Sequence, residues 1–271
     1  MDDLLDRRHL LGGAAGVAAS FAIPSWLSAA SAGALSPERS LESYRRMLCG
    51  TKGEEVLWWF IGDLYYHTQG KSVKPCARSL TIGGYTAQEF GPRSFKYGFR
   101  EAGVMIDLDT GERLLKNPMT GELADVPFVD EKRQDIEWAM QDDGTILRTQ
   151  HEKSSKLNLR WTETSSNLLL LETQPGLNAF GAAPGDGGTD WKDIESTRTV
   201  YAKRADLKRK GFIPAKMIFN VSIKMNPPWL SDGQPGDHWF IVRGIGEKSR
   251  AKDVVNRDAL NMVRRYFPKF I

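Results

Sequence analysis

The sequence predicts a mainly β chain: one antiparallel, barrel-like domain with a C-terminal α-helix. Three observations carry that expectation. Runs rich in aromatic and β-branched residues recur at fairly even spacing from Val56 onward. Good turn chemistry separates most of them. No helical period intervenes until the last stretch of the chain, which argues against alternating βα units.

The first element is helical. Ser36-Pro37-Glu38-Arg39 offers an N-cap with proline at the first helical position. Leu41, Tyr44, Met47 and Leu48 follow at helical spacing, in a segment placed at 35–55. The period then drops to 2. Strands are expected at 56–67, 78–90, 95–108, 113–115, 135–140, 145–150, 156–164, 168–173, 196–203, 215–225 and 238–245. The clearest is 216–225, where Met217, Phe219, Val221, Ile223 and Met225 share one face. Lys216, Asn220, Ser222 and Lys224 share the other, with Ile218 out of step. Gly111 and Gly121 suit the left-handed position of bulged hairpins. Two Gly/Pro-rich stretches, 174–188 and 226–236, read as long loops, the second carrying Trp229. A closing helix is expected over 251–267, with Val255, Ala259, Met262, Val263 and Tyr266 on its apolar face.

The N-terminus reads as an address. Arg7-Arg8 directly precedes an apolar Gly/Ala-rich run, 10–23, which Pro24 breaks. Ala30-Ser31-Ala32 then offers an A-x-A cleavage site. This is the layout of a twin-arginine signal peptide over 1–34, followed by the β-barrel-like domain over 35–271. The acidic Asp2, Asp3 and Asp6 depart from the usual positive start. The expected location is the periplasm, reached through the twin-arginine export machinery. The apolar run is shorter than the ~20 residues a bilayer span requires, and no second run approaches one.

Composition excludes some partners. Of 37 basic and 34 acidic residues, the signal holds two and three, so the remainder carries +4. That mild, dispersed excess does not argue for nucleic acid. The densest basic stretch, 203–210, reads as a solvated turn. Cys49 and Cys76 could form one disulfide in an oxidising compartment, and the pairing is left open. No Cys/His spacing suggests a metal, and no cofactor motif is present.

The segments 107–114 (Asp-Leu-Asp-Thr-Gly-Glu-Arg-Leu) and 116–122 (Lys-Asn-Pro-Met-Thr-Gly-Glu) form a double T-G-E hairpin. Together with 227–236 (Pro-Pro-Trp-Leu-Ser-Asp-Gly-Gln-Pro-Gly), they resemble the DUF1838 family of exported bacterial and fungal proteins. The resemblance covers roughly 40–245. It implies a single β-rich, barrel-like domain and brings no catalytic residues with it.

Candidate site residues come from the strands and loops. On the first strand, Trp59, Ile61, Asp63, Tyr65 and His67 share a face, opposite Trp58, Phe60, Gly62, Leu64 and Tyr66. Asp63 and His67 lie about 13 Å apart along a strand at ~3.3 Å per residue, too far to bond but close enough to line one cavity. His238 stands where the 226–236 loop enters a strand, a suitable place at a barrel mouth. Arg100, Arg148, Arg160 and Arg243 each interrupt an apolar or alternating run. One that points inward must meet a carboxylate or an anionic ligand. Arg243 has the most apolar surroundings.

The expected architecture is a calycin-like barrel whose cavity is apolar and aromatic with a few polar groups. His67, His238 and Asp63 are its candidate catalytic groups, and Arg243, Trp229, Trp59 and Tyr65 its candidate ligand contacts. The expected function is capture of a small hydrophobic or aromatic molecule. The alternative is a cofactor-independent lyase, isomerase or hydrolase acting on such a molecule, with His67 or His238 as base. A third class is an interaction protein using its outer β surface. G-x-S-x-G, G-x-G-x-x-G, P-loop and H-E-x-x-H motifs are all missing.

Overall fold

The computed structural model describes residues 35–68, 70–117, 119–125, 127–150, 153–163, 167–175, 194–224, 238–250 and 257–270. Helix α1 (Pro37–Leu48) starts where its sequence says it should. The Ser36 side chain accepts from the Arg39 amide at 3.4 Å, and Pro37 opens the first turn.

Among the described residues, ten strands close into one antiparallel barrel. They are β1 (Glu55–Thr68), β2 (Lys74–Phe90), β3 (Ser94–Ile106), β6 (Pro127–Met140), β7 (Ile146–Gln150), β8 (Lys153–Glu163), β9 (Asn167–Pro175), β10 (Ile194–Lys203), β11 (Lys216–Lys224) and β12 (His238–Arg250). The closing seam joins β1 to β12, from Val56 opposite Arg250 to Thr68 opposite His238. A small hairpin, β4 (Leu114–Lys116) and β5 (Leu123–Asp125), lies outside the ring. Sequence pattern had no signal for β5, a three-residue strand between turns.

Both halves of the T-G-E hairpin make the same turn. Asp107 Oδ1 accepts from the amides of Asp109 and Thr110, and Asn117 Oδ1 accepts from those of Met119 and Thr120. Gly111 (φ 70°) and Gly121 (φ 79°) take the left-handed position in each. The Asp107 carboxyl is held below the usual carboxylate range, chiefly by the Thr110 amide.

Alternation sorts each strand into an inner and an outer face. β1 sends Trp58, Phe60, Leu64 and Tyr66 inward, and β11 sends Met217, Phe219 and Val221. Ile218 faces outward, so the one residue out of step on β11 is exposed rather than core. A second apolar cluster lies outside the barrel. There Leu57, Trp59, Leu80, Ile82, Ala102 and Val104 meet Leu260, Phe267 and Phe270, from α2 (Arg257–Tyr266) and the residues after it. The helix expected from 251 is therefore seen from Arg257; 251–256 lie outside the described residues.

The two ends of the barrel differ. At one end α1 inserts Leu41, Tyr44, Met47 and Leu48 into the inner cluster, and Trp58 Nε1 donates to the Leu48 carbonyl at 2.8 Å. Two of the chain turns at this end, 91–93 and 141–145, are short; the β10–β11 connection, 204–215, is longer. The other end is where β1, β3, β9 and β11 finish and β2, β10 and β12 begin. The chain leaves β9 at Pro175 and β11 at Lys224 there, before the two long sequence loops. The β4–β5 hairpin also springs from this end, and its Leu115 and Met119 join the inner cluster.

Candidate functional site

The barrel interior is aromatic with a few buried polar groups. A central cavity is lined by Phe60, Tyr85, Phe99, Met217 and Phe219, with Glu101 and Arg198 as its charged members. The cavity is small, about 20 Å³. That is room for a water and, without side-chain movement, for no organic ligand. Glu101 sits where the β3–β6 register shifts, between Phe99 and Glu101.

Around the cavity the rings form a continuous wall. Phe60 meets Phe219 edge to face at 5.7 Å, and Trp58 stacks on Phe60 at 5.9 Å. Tyr85 stacks on Tyr97 at 5.4 Å. Burial pushes the Tyr97 phenol up to about 12, against the lowering effect of the Arg148 guanidinium. Both phenols therefore stay protonated at neutral pH, Tyr85 being pushed up by burial as well.

His238 lies inside, near the end where the long loops leave. Its Nδ1 meets the Tyr66 hydroxyl at 2.6 Å and the Thr68 hydroxyl at 3.2 Å. The ring stacks on Tyr66 and is buried.

The other sequence candidates are not gathered around it. Trp59, Asp63, Tyr65 and His67 occupy the outer face of β1, because Trp58, Phe60, Gly62, Leu64 and Tyr66 form the inner face. Trp59 is buried under the C-terminal segment, its indole donating to Ser249 Oγ at 2.8 Å. Asp63 pairs with Arg78 at 2.7 Å on the barrel's outside. Arg243 stands opposite Asp63 in register, exposed, with Nε donating to Asn220 Oδ1 at 3.3 Å. One cavity shared by His67, His238 and Arg243 is thus not formed; the three lie on two sides of the sheet. Trp229 falls outside the described residues.

Sequence reasoning passed over Glu101 and Arg198. Glu101 continues the period of Phe95, Tyr97 and Phe99, so its inward direction was readable. Arg198 alternates with threonines on β10, which is weakly amphipathic and gives little signal. Of the strand arginines whose side chains are described, Arg148 points inward, whereas Arg100 makes a bidentate pair with Glu55.

Cys49 and Cys76 are both free and buried. Burial raises each thiol to about 12, so neither is a nucleophile at neutral pH. Among the described residues, no helix is long and apolar enough to cross a membrane.

No protein-family model and no curated protein matches the chain. Among solved structures it is similar to an S-type phycobiliprotein lyase from Guillardia theta, at 11% identity and TM-score 0.21, covering 82% of this chain and 96% of that one. It is also similar to the attachment invasion locus protein Ail of Yersinia pestis, at 8% identity and TM-score 0.21, over 73% and 100% of the two chains. A third is a LolA superfamily protein from Nitrosomonas europaea, at 8% identity and TM-score 0.18, over 82% and 96%. Likeness at that level leaves the function to be argued from the barrel's own interior.

Proposed function

We propose that the barrel holds a small hydrophobic or aromatic molecule in its interior, in the manner of a calycin-like carrier. The observation that supports this reading is the central cavity, ringed by Phe60, Tyr85, Phe99 and Phe219 yet carrying Glu101 and Arg198. Aromatic walls with a few placed polar groups are what ligand sites use to combine burial with orientation. Occupancy requires the lining to move, and Met217 is the member best suited to yield, being unbranched and flexible. The enzyme alternative had His67 or His238 as base with Arg243 or Asp63 orienting; His67, Asp63 and Arg243 stand on the outer face and His238 on the inner one, so that arrangement draws no support from the geometry.

A second reading has one observation in its favour. Ile218 and Ile245 are cross-strand partners on the outer sheet, 53% and 62% exposed, and would suit an interaction protein. Native mass spectrometry of protein purified from its own compartment separates the two. A bound small molecule, lost in Met217→Trp, is expected. A bare chain, together with no tryptophan quenching by an aliphatic and aromatic panel, would overturn the carrier reading in favour of the outer surface.

The proposal extends to location. Arg7-Arg8, the short apolar run and the Ala30-Ser31-Ala32 site support export by the twin-arginine route, and the double T-G-E turn supports membership of the DUF1838 family. Lys at both Arg7 and Arg8 should leave the precursor in the cytoplasm; undiminished periplasmic yield would refute the route.

A further inference from the structure

Arg148 is the least reconciled group in the described interior. It is 3% exposed, on the inner face of β7. Its Nη2 donates to Gln150 Oε1 at 2.6 Å, while Nε and Nη1 have no hydrogen-bond acceptor. Among the described residues it makes no ion pair either. A buried guanidinium normally meets a carboxylate or another anion, and among the described residues none is paired with it.

Its neighbours in the barrel wall show the same imbalance. Trp138 on β6 and Ser155 on β8 flank Arg148 in register, making one row across three strands. The Ser155 hydroxyl is buried without a partner. The Trp138 indole N–H leans toward the Tyr97 hydroxyl but makes no hydrogen bond of good geometry. What this row lacks is acceptors, and one with negative charge would also balance Arg148.

We propose that the Trp138–Arg148–Ser155 row seats the anionic group of the molecule the barrel holds, a carboxylate or comparable oxyanion. The inference rests on the carrier reading and names its ligand class: an apolar body with an acidic head. The body would extend along the ring wall. Tyr97 is within electrostatic reach of both Arg148 and Arg198, and it stacks on Tyr85, which lines the central cavity. Charge attraction and donated hydrogen bonds fix the head, and aromatic surface receives the tail.

The test uses the full-length mature chain and four probes: octanoate, octanol, acetate and inorganic phosphate. Binding is read by tryptophan fluorescence and by the thermal midpoint. Octanoate should bind at least about ten-fold tighter than octanol. Arg148→Gln should abolish that preference while leaving octanol binding in place, and Arg148→Lys should restore part of it. A merely structural Arg148 would not change head-group selectivity. If Arg148→Gln does not fold, the wild-type preference decides alone. Stabilisation by acetate or phosphate equal to that by octanoate supports the seat and assigns it to a free anion. Equal binding of octanoate and octanol overturns the seat but leaves the carrier reading standing. Failure of all four probes overturns both.

Discussion

Gly244 has no room for a side chain. A Cβ there would stand 2.4 Å from the Ile61 carbonyl oxygen and 2.4 Å from the tip of the Phe219 ring. The backbone contact is the one that cannot give way, because Ile61 belongs to the closing seam. Gly244→Ala should therefore cost about 1–3 kcal/mol in urea unfolding, the usual range for overpacking. An unchanged midpoint would show that the seam is not this tight. Phe219 carries the complementary prediction: Phe219→Ala should lose about 3–5 kcal/mol. Lys248 makes a prediction about pH. Its ammonium is buried and donates to the Arg46 and Cys49 carbonyls at 2.8 and 3.0 Å, at the end of α1. Burial pulls it down to about 7 from 10.5. Above pH 7 the unfolded chain holds this proton and the folded one releases it, so stability should rise with pH from 7. Above about pH 9 the two buried thiols oppose this, because they ionise in the unfolded chain first. Thermal midpoints between pH 7 and 9 should climb in the wild type and flatten in Lys248→Met. Equal slopes would remove Lys248 as the cause.

At the scale of elements, strand periodicity was legible and strand direction only partly so. β11 alternates cleanly, and its Met217, Phe219 and Val221 are buried as the pattern requires. The T-G-E turns were legible too, since only a glycine sits easily at their left-handed position. β1 misled because both of its faces carry large apolar residues. The polar residues Asp63 and His67 marked its outward face, and the uninterrupted Trp58-to-Tyr66 face marked the core. What hid this was the second apolar cluster, which buries Trp59 on the outside of the barrel and makes the outer face look inner. The same reasoning separates Arg148 from Arg243. Local apolarity favoured Arg243, yet it faces solvent, whereas Arg148 follows the inward register of Ile146 and Gln150. His67→Ala and Arg243→Ala should accordingly change stability by less than about 0.5 kcal/mol and leave octanol binding intact. A loss of binding in either would restore the outer face as part of the site.

The molecule as a whole depends on the β1–β12 seam, which joins the first and last barrel strands and leaves no free edge. Each strand in a closed ring donates alternate amides to its two neighbours. In β1, one alternating set of amides therefore bonds to β12 and the other to β2. Native-state hydrogen exchange should find both sets protected alike, near the free energy of global unfolding. In an open sheet with β1 at its edge, one of the two sets would exchange quickly. The weakest part of the ring is elsewhere. β7 has five residues, between neighbours of fourteen and eleven, and it carries Arg148 with its unmatched donors. Its amides should open first. Bound octanoate, by tying Trp138, Arg148 and Ser155 together across three strands, should slow exchange in β7 more than in β1. Uniform slowing would instead mean that the ligand stabilises only the global fold, and the acidic head would then have no fixed place on β7.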